Sequence, residues 1–183
     1  MAGKVEEILL TKRIYEGNNV NLRVDTISLP GGRTAIREVV EHSGAVAIVP
    51  VNEKGEILLV RQYRHAVGKS LLEIPAGKLE PGESMTDCAG RELLEETGYE
   101  AASLHRLISF FSTPGFTNEM LHLFLATGLT YVGQKPDDDE DIDLVIMPFE
   151  RAIELVWEGE ICDAKSIAGI LAVARSIKKA DGN

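Results

Sequence analysis

Hydrophobic residues recur along the chain with two different periods, and the changes of period mark out its elements. Near the start Leu22, Val24 and Thr26 alternate with polar neighbours, Pro30-Gly31-Gly32 supplies turn chemistry, and an extended pattern resumes over 34–40. Alternation sends successive side chains to opposite faces of a strand, so this segment predicts an antiparallel hairpin. Residues 44–51 (GAVAIVPV) and 56–63 (EILLVRQY) are apolar runs on either side of Asn52-Glu53-Lys54-Gly55. They predict a second hairpin whose first strand is buried. A short extended piece over 71–74 ends at Pro75-Ala76-Gly77.

From Ser84 the period becomes helical and lasts until Gly98. Ser84 with Asp87 three positions on fits a capping-box-like start, and a glycine suits the left-handed position just past a helix end. Extended stretches at 104–111 and 121–126 flank the turn-rich Thr113-Pro114-Gly115-Phe116-Thr117-Asn118, and a strand at 144–147 follows the acidic run 137–141. Helices at 150–157 and 163–179 close the chain, the second with Ile167, Ile170, Leu171 and Ala174 at helical spacing. This order predicts an α+β fold, an α/β/α sandwich with a mixed sheet between helices. A chain of 183 residues without repeats or a linker predicts one domain with a sizeable core.

Charge narrows the partners. Asp and Glu number 29 against 19 Lys and Arg, a net charge of -10, which argues against nucleic-acid binding through clustered cations. A small phosphorylated ligand stays open, since a metal ion can lie between two sets of anions. Cys88 and Cys162 form no metal-ligand spacing and no disulfide framework. The opening MAGKVEEILLTKR places acids inside its short apolar stretch, and no run of about 18 apolar residues occurs. The expected compartment is therefore the cytoplasm, with no membrane partner.

The 84–97 helix breaks its own pattern. On a wheel of 3.6 residues per turn Met85, Cys88 and Ala89 share the natural inward face, and Glu92, Glu95 and Glu96 fall on it too. Three like charges stacked within one turn repel, and facing them inward adds desolvation. A divalent cation would remove both costs, because Mg2+ is satisfied by one or two carboxylates, waters and substrate phosphates. The spacing alone also fits a solvated helix face, with Arg91 and Glu95 as an ordinary i, i+4 pair and Glu83 as a first-turn acid.

The neighbouring residues separate these readings. Gly77, then Glu83, then Arg91-Glu92-Leu93-Leu94-Glu95-Glu96-Thr97-Gly98-Tyr99 resembles the Nudix box: Gly, five residues, Glu, seven residues, Arg-Glu, an aliphatic, any residue, Glu-Glu, any residue, Gly and an apolar residue. Every fixed position matches, with Tyr99 the less usual choice at the last. The resemblance implies the Nudix fold and Mg2+- or Mn2+-dependent hydrolysis of a nucleoside diphosphate linked to a second moiety. It implies Glu92 and Glu96 as metal ligands, Glu95 as a further ligand or supporting carboxylate, and the Ala76 carbonyl as another ligand. Arg91 and Glu83 would tie the loop to the helix by an ion pair, and Gly77 and Gly82 would let the loop backbone approach metal and phosphate.

Outside the box, Pro114 lies fifteen positions after Tyr99, and this placement resembles the ADP-ribose pyrophosphatase branch. Arg37-Glu38-Val39-Val40-Glu41-His42, Arg61-Gln62-Tyr63-Arg64 and Leu72-Glu73-Ile74-Pro75-Ala76-Gly77 are similar to that branch as well. The resemblance implies cleavage of ADP-ribose to AMP and ribose 5-phosphate, with Arg37, Arg64, Glu73, Pro114 and Gly115 at the substrate. Surface positions are the ordinary alternative for the arginines. Tyr15 and Phe116 are candidates to stack on adenine. The acidic run fails as an EF-hand because its sixth position, Ile142 or Leu144, is not glycine. Related enzymes bring a loop glutamate to the metals, which selects Glu140 as ligand or base, with Asp139 as substitute. The branch also implies a homodimer built through a strand-rich segment 1–43, ahead of a hydrolase domain 44–183. Another nucleoside diphosphate derivative, such as a dinucleoside polyphosphate, NADH or a sugar nucleotide, is the rival substrate. A non-catalytic nucleotide sensor is the rival outside enzymes.

Overall fold

The structure, a computed structural model, describes residues 6–134 and 142–181. The chain divides into two compact units, Met1–Gly44 with Phe111–Met120, and Ala45–Phe110 with Leu121–Asn183. The loop between the two expected strands at 104–111 and 121–126 thus groups with the N-terminal segment, although it lies inside the 44–183 span.

In the first unit β1 (Glu7–Glu16), β2 (Asn21–Leu29) and β3 (Arg33–Glu41) form an antiparallel sheet in that order. Gly31 and Gly32 both take left-handed φ values, 84° and 75°, at the β2–β3 turn, a conformation that glycine adopts without steric cost. Asp25 is buried in the sheet, where Thr11 Oγ1 donates to it at 2.8 Å and Arg23 Nε at 3.0 Å. Every residue of β1 is exposed. The Val40 N–H donates to the Phe116 carbonyl at 2.8 Å, and the His42 N–H to Asn118 Oδ1 at 2.8 Å, so the 111–120 loop is tied to the end of β3.

The second unit carries two sheets. One has the order β7-β4-β9-β8, from β7 (Ala76–Lys78), β4 (Ala45–Pro50), β9 (Met120–Tyr131) and β8 (Tyr99–Phe111). The other has the order β10-β5-β6, from β10 (Ile142–Pro148), β5 (Glu56–Arg64) and β6 (Lys69–Glu73). The helices are α1 (Met85–Thr97), α2 (Phe149–Glu158) and α3 (Ala164–Asp181). Strand β4 explains the sandwich. Ala47 and Val49 point into a core with Leu123, Ile74, Ile161, Ile170 and Val173, while Val46 and Ile48 point into another with Cys88, Ala89, Leu93 and Phe124. A strand apolar on both faces therefore lies between α3 on one side and α1 on the other.

One expected pairing is not formed. β4 and β5 are not a hairpin: β4 pairs antiparallel with β7 and parallel with β9, β5 pairs with β6 and β10, and a lone bridge, Val51 to Ile57, joins them. Both edges of β4 are taken by strands distant in sequence, and a continuous apolar run cannot say which neighbours it will have. β8 also begins five residues earlier than its hydrophobic pattern predicts, directly after the helix-ending Gly98. Among the described residues no helix is long and apolar enough to cross a membrane.

Candidate active site

α1 is positioned at both ends by the residues that its sequence offers. Ser84 precedes it in extended conformation and its hydroxyl accepts the Asp87 N–H at 3.1 Å. Gly98 follows it at φ 77° and returns its N–H to the Leu94 carbonyl at 2.8 Å. Cys88, Ala89 and Leu93 are fully buried, which turns the same side of the helix, one turn later, toward β7. Glu96 is buried at 3% exposure, and its Oε2 accepts the Ala76 N–H at 3.1 Å. The Glu92 carboxylate lies over Gly77, so close that a Cβ on Gly77 would fall 1.9 Å from its Cδ and Oε1. Ala76, the box glycine Gly77 and α1 are therefore in direct contact.

Arg91 is the cation of this group. Nε and Nη2 donate to the two Glu83 oxygens at 2.9 and 3.0 Å, and Nη1 donates to Glu92 Oε1 at 2.7 Å and Glu95 Oε2 at 3.0 Å. Nη2 also donates to the Lys78 carbonyl at 3.2 Å. The loop-to-helix pair with Glu83 and the i, i+4 pair with Glu95 are thus both present, in one side chain. The Arg91 fork holds the Glu83 carboxyl down to about 2, and the same carboxylates raise Arg91 itself. Cys88 is pushed up to about 12 by burial and by the adjacent Glu83, so its thiol stays protonated and serves as packing.

A second charged group lies on β5, β6 and α3. Arg64 donates to Glu73 through Nε at 2.9 Å and Nη2 at 2.8 Å, a two-bond fork, and Lys165 at the start of α3 donates to the same carboxylate. Lys165 also donates to Asp163 Oδ1 at 2.8 Å, the oxygen that accepts the Ser166 N–H at the head of α3. Burial at 2% exposure works against ionisation of Glu73, and the bonds from Arg64 with the charge of Lys165 overcome it, leaving the carboxyl below its ordinary value. Arg64 is raised first by its hydrogen bonds to Glu73 and further by the charge of Glu96. The sequence does not single out Lys165; its one signal is an Asp-Ala-Lys-Ser helix start, which reads as capping rather than as a counter-ion.

Arg37, Pro114 and Gly115 come together in the first unit. They line a depression of about 390 Å3 with Phe116, which is 55% exposed. Arg37 donates to both oxygens of Glu6, at 2.6 and 3.2 Å, and to the Ile36 carbonyl at 3.1 Å. Tyr15 is not part of this lining; its ring covers Gly17, where a Cβ would meet it at 2.6 Å. Glu140, like Asp139 and the rest of the run 137–141, lies outside the described residues.

The donor set fits a hard divalent cation. Among the described residues no three acidic, histidine or cysteine side chains close into a cage, and Mg2+ does not ask for one, since it retains waters and takes one or two carboxylates. Glu92 and Glu96, one turn apart and facing the backbone at Ala76 and Gly77, offer that partial oxygen set. Gly77 has no left-handed φ, so its lack of a side chain matters for the room it leaves to Glu92.

The pattern of the NUDIX domain matches residues 41–169. The methanol dehydrogenase activator of Bacillus methanolicus is 42% identical over 167 residues, 90% of each chain. The ADP-ribose pyrophosphatase of Bacillus subtilis (strain 168) is 40% identical over 167 residues, again 90% of each chain. The crystal structure of an ADP compounds hydrolase covers 98% of both chains with a TM-score of 0.88 at 21% identity, a likeness of fold.

Proposed function

Since the chain belongs to the NUDIX family, we propose that it hydrolyses the pyrophosphate bond of ADP-ribose to AMP and ribose 5-phosphate with Mg2+, or Mn2+, as cofactor. The observation that carries the reading is the seating of the Glu92 carboxylate over the bare backbone of Gly77 beside the buried Glu96. Likeness to the Bacillus subtilis ADP-ribose pyrophosphatase over nine-tenths of each chain supports the substrate.

Glu92 and Glu96 would hold the cation, with Glu95 beside them and the Ala76 carbonyl completing the protein ligands. A bound divalent cation supplies neutralisation of phosphate oxygens and a lowered pKa for a coordinated water. Arg91 orients Glu92 and Glu95 from the protein side and ties them to Glu83. Arg64 presents its remaining N–H groups to the diphosphate while Glu73 fixes the plane of the guanidinium. Within the first unit we assign Arg37, Pro114 and Gly115 to substrate binding, with Arg37 exchanging Glu6 for substrate oxygens, and Phe116 to stacking on adenine. We assign the water-activating base to Glu140. Replacing Glu96 by Gln should lower turnover by orders of magnitude with the melting temperature preserved. A panel of nucleoside diphosphate derivatives with chromatographic product identification tests the substrate, and faster turnover of NADH or a sugar nucleotide would replace ADP-ribose. Binding of ADP-ribose without hydrolysis in Mg2+ would make the chain a sensor.

A homodimer is the second half of the proposal, with the segment 1–43 at its interface. Ile8, Leu10, Ile14 and Tyr15 on the edge strand β1 are between 49% and 63% exposed, an apolar edge that a monomer would not leave uncovered. Light scattering checks this, and a monomer of full activity would end it. Both cysteines are free thiols, which agrees with a reducing compartment, and we place the enzyme in the cytoplasm.

A further inference from the structure

The carboxylate-bearing end of α1 is held by a residue outside the box. Gln134 Nε2 donates to the main-chain carbonyl of Glu96 at 2.6 Å and lies 3.4 Å from the carbonyl of Ile142, the first residue of β10. The Glu96 carbonyl is among the last of the helix, where no intrahelical N–H is available to it. The same residue is gripped at its other end, because Ala76 N–H donates to the Glu96 carboxylate. Glu96 is thus fixed through main chain and side chain, by β9's continuation on one side and by β7 on the other.

The approach that makes this bond is built into the backbone. Val132 and Gly133 both donate their N–H groups to the Gly98 carbonyl, at 2.8 and 3.2 Å. A Cβ on Gly98 would lie 2.6 Å from Gln134 N, 2.9 Å from Gly133 C and 2.8 Å from Tyr131 Cε2. The segment 131–134 therefore rides directly on the helix end, and Tyr131 sets its ring edge-on to Tyr99 at 5.1 Å. The box glycine is needed here for close contact as well as for its left-handed φ. With its backbone so anchored, Gln134 turns its amide back onto Glu96 instead of into solvent.

We propose that Gln134 is a positioning residue for metal binding, one that sets Glu96 by clamping its carbonyl between α1 and β10. The inference rests on the reading of Glu92 and Glu96 as metal ligands. Residues that orient a ligand are typically worth about 10- to 100-fold in metal affinity or activity, whereas a plain helix cap affects stability alone.

The test is Mn2+ binding followed by electron paramagnetic resonance on wild-type protein, Gln134→Met and Gln134→Asn, with steady-state kinetics and thermal melts of each. Methionine matches the length and lacks the donor; asparagine keeps the amide but is one methylene too short to reach, and serves if the methionine variant does not fold. We expect the Mn2+ dissociation constant to rise about tenfold or more, kcat at moderate metal to fall in step, and KM for ADP-ribose at saturating metal to stay within about twofold. A lowered melting temperature with Mn2+ affinity and kcat both within about twofold of wild type would overturn the inference and leave Gln134 a cap. Wild-type protein that binds no Mn2+ would instead remove the metal-ligand reading beneath it.

Discussion

Gly77→Ala isolates the contact on which the proposed chemistry turns. The φ of Gly77 is not in the left-handed region, so alanine fits the backbone, and the loss of glycine freedom in the unfolded chain favours the folded state by about 0.4–1 kcal/mol. The added methyl would sit 1.9 Å from Glu92 Cδ and Oε1 and 2.2 Å from Oε2. To regain ordinary contact at 3.4 Å the carboxylate must retreat by about 1.5 Å. That atom group is the end of a flexible side chain, so the displacement strains no backbone; it gives up the bond from Arg91 Nη1 at 2.7 Å, a mostly buried charge-assisted bond worth about 1.5–3 kcal/mol. Stability should consequently fall by about 1–2 kcal/mol. Chemistry should suffer far more, because Mg2+ holds its oxygens near 2.0–2.1 Å and a misplacement of about 1 Å in a site costs roughly a hundredfold. The assay is kcat for ADP-ribose at saturating Mg2+ beside a thermal melt. A variant with kcat within about threefold of wild type would show that Glu92 need not occupy that place, and the ligand assignment would fall.

Three further outcomes follow from the charges. Glu83, held near 2 by Arg91, should add stability that is fully present above the ordinary carboxylate range and is lost as pH falls through about 2; an Arg91→Ala melt series should lose this acid resistance first between about pH 4.5 and 2. Lys165→Met removes one of two cations from a carboxylate that is 2% exposed and should destabilise the fold by about 3 kcal/mol in denaturant titration, with KM for ADP-ribose raised through a freer Arg64. Chelation should abolish hydrolysis reversibly but shift the melting temperature by only a few degrees, since Arg91 already offsets the repulsion of Glu92 and Glu95; unfolding in chelator would contradict this.

The parts legible in the sequence were those set by local chemistry. The α1 caps at Ser84 and Gly98 are readable because each answers a backbone need at one position, and the inward Glu92 and Glu96 because a helix wheel depends on nothing beyond the helix, whereas Glu95, expected on the same face, is 30% exposed at its edge. Pairing was not legible. The run at 44–51 announces burial on both faces, but its partners β7 and β9 are fixed by packing of α1 and α3 against those faces, which no local window contains. The glycines show the same divide. Gly82 at φ 81° has nothing within 4 Å and is glycine for its turn, whereas Gly77 is glycine because a carboxylate fifteen residues later occupies its side-chain space. Lys165 and Gln134 were invisible for that reason too: each acts on a carboxylate or carbonyl far away in sequence.

The acidity of the chain acquires a structure at Arg91. One guanidinium meets Glu83 with two N–H groups, Glu92 and Glu95 with a third nitrogen, and the Lys78 carbonyl besides. A lysine, with its donors on a single point charge, could not serve a fork on one side and two carboxylates on the other. The arrangement places the compensating charge between the helix and the loop that carries Gly77, while Glu96 is braced separately by Ala76 and Gln134. Three carboxylates can therefore stay together without a metal ion, already aimed. The group keeps an excess of negative charge and so attracts a second positive charge, which is the condition under which an acidic protein takes a polyphosphate only when a divalent ion arrives with it. Arg91→Lys should accordingly bind Mn2+ more weakly than wild type despite its unchanged formal charge, and equal affinity would show that charge alone, without the fork, is enough.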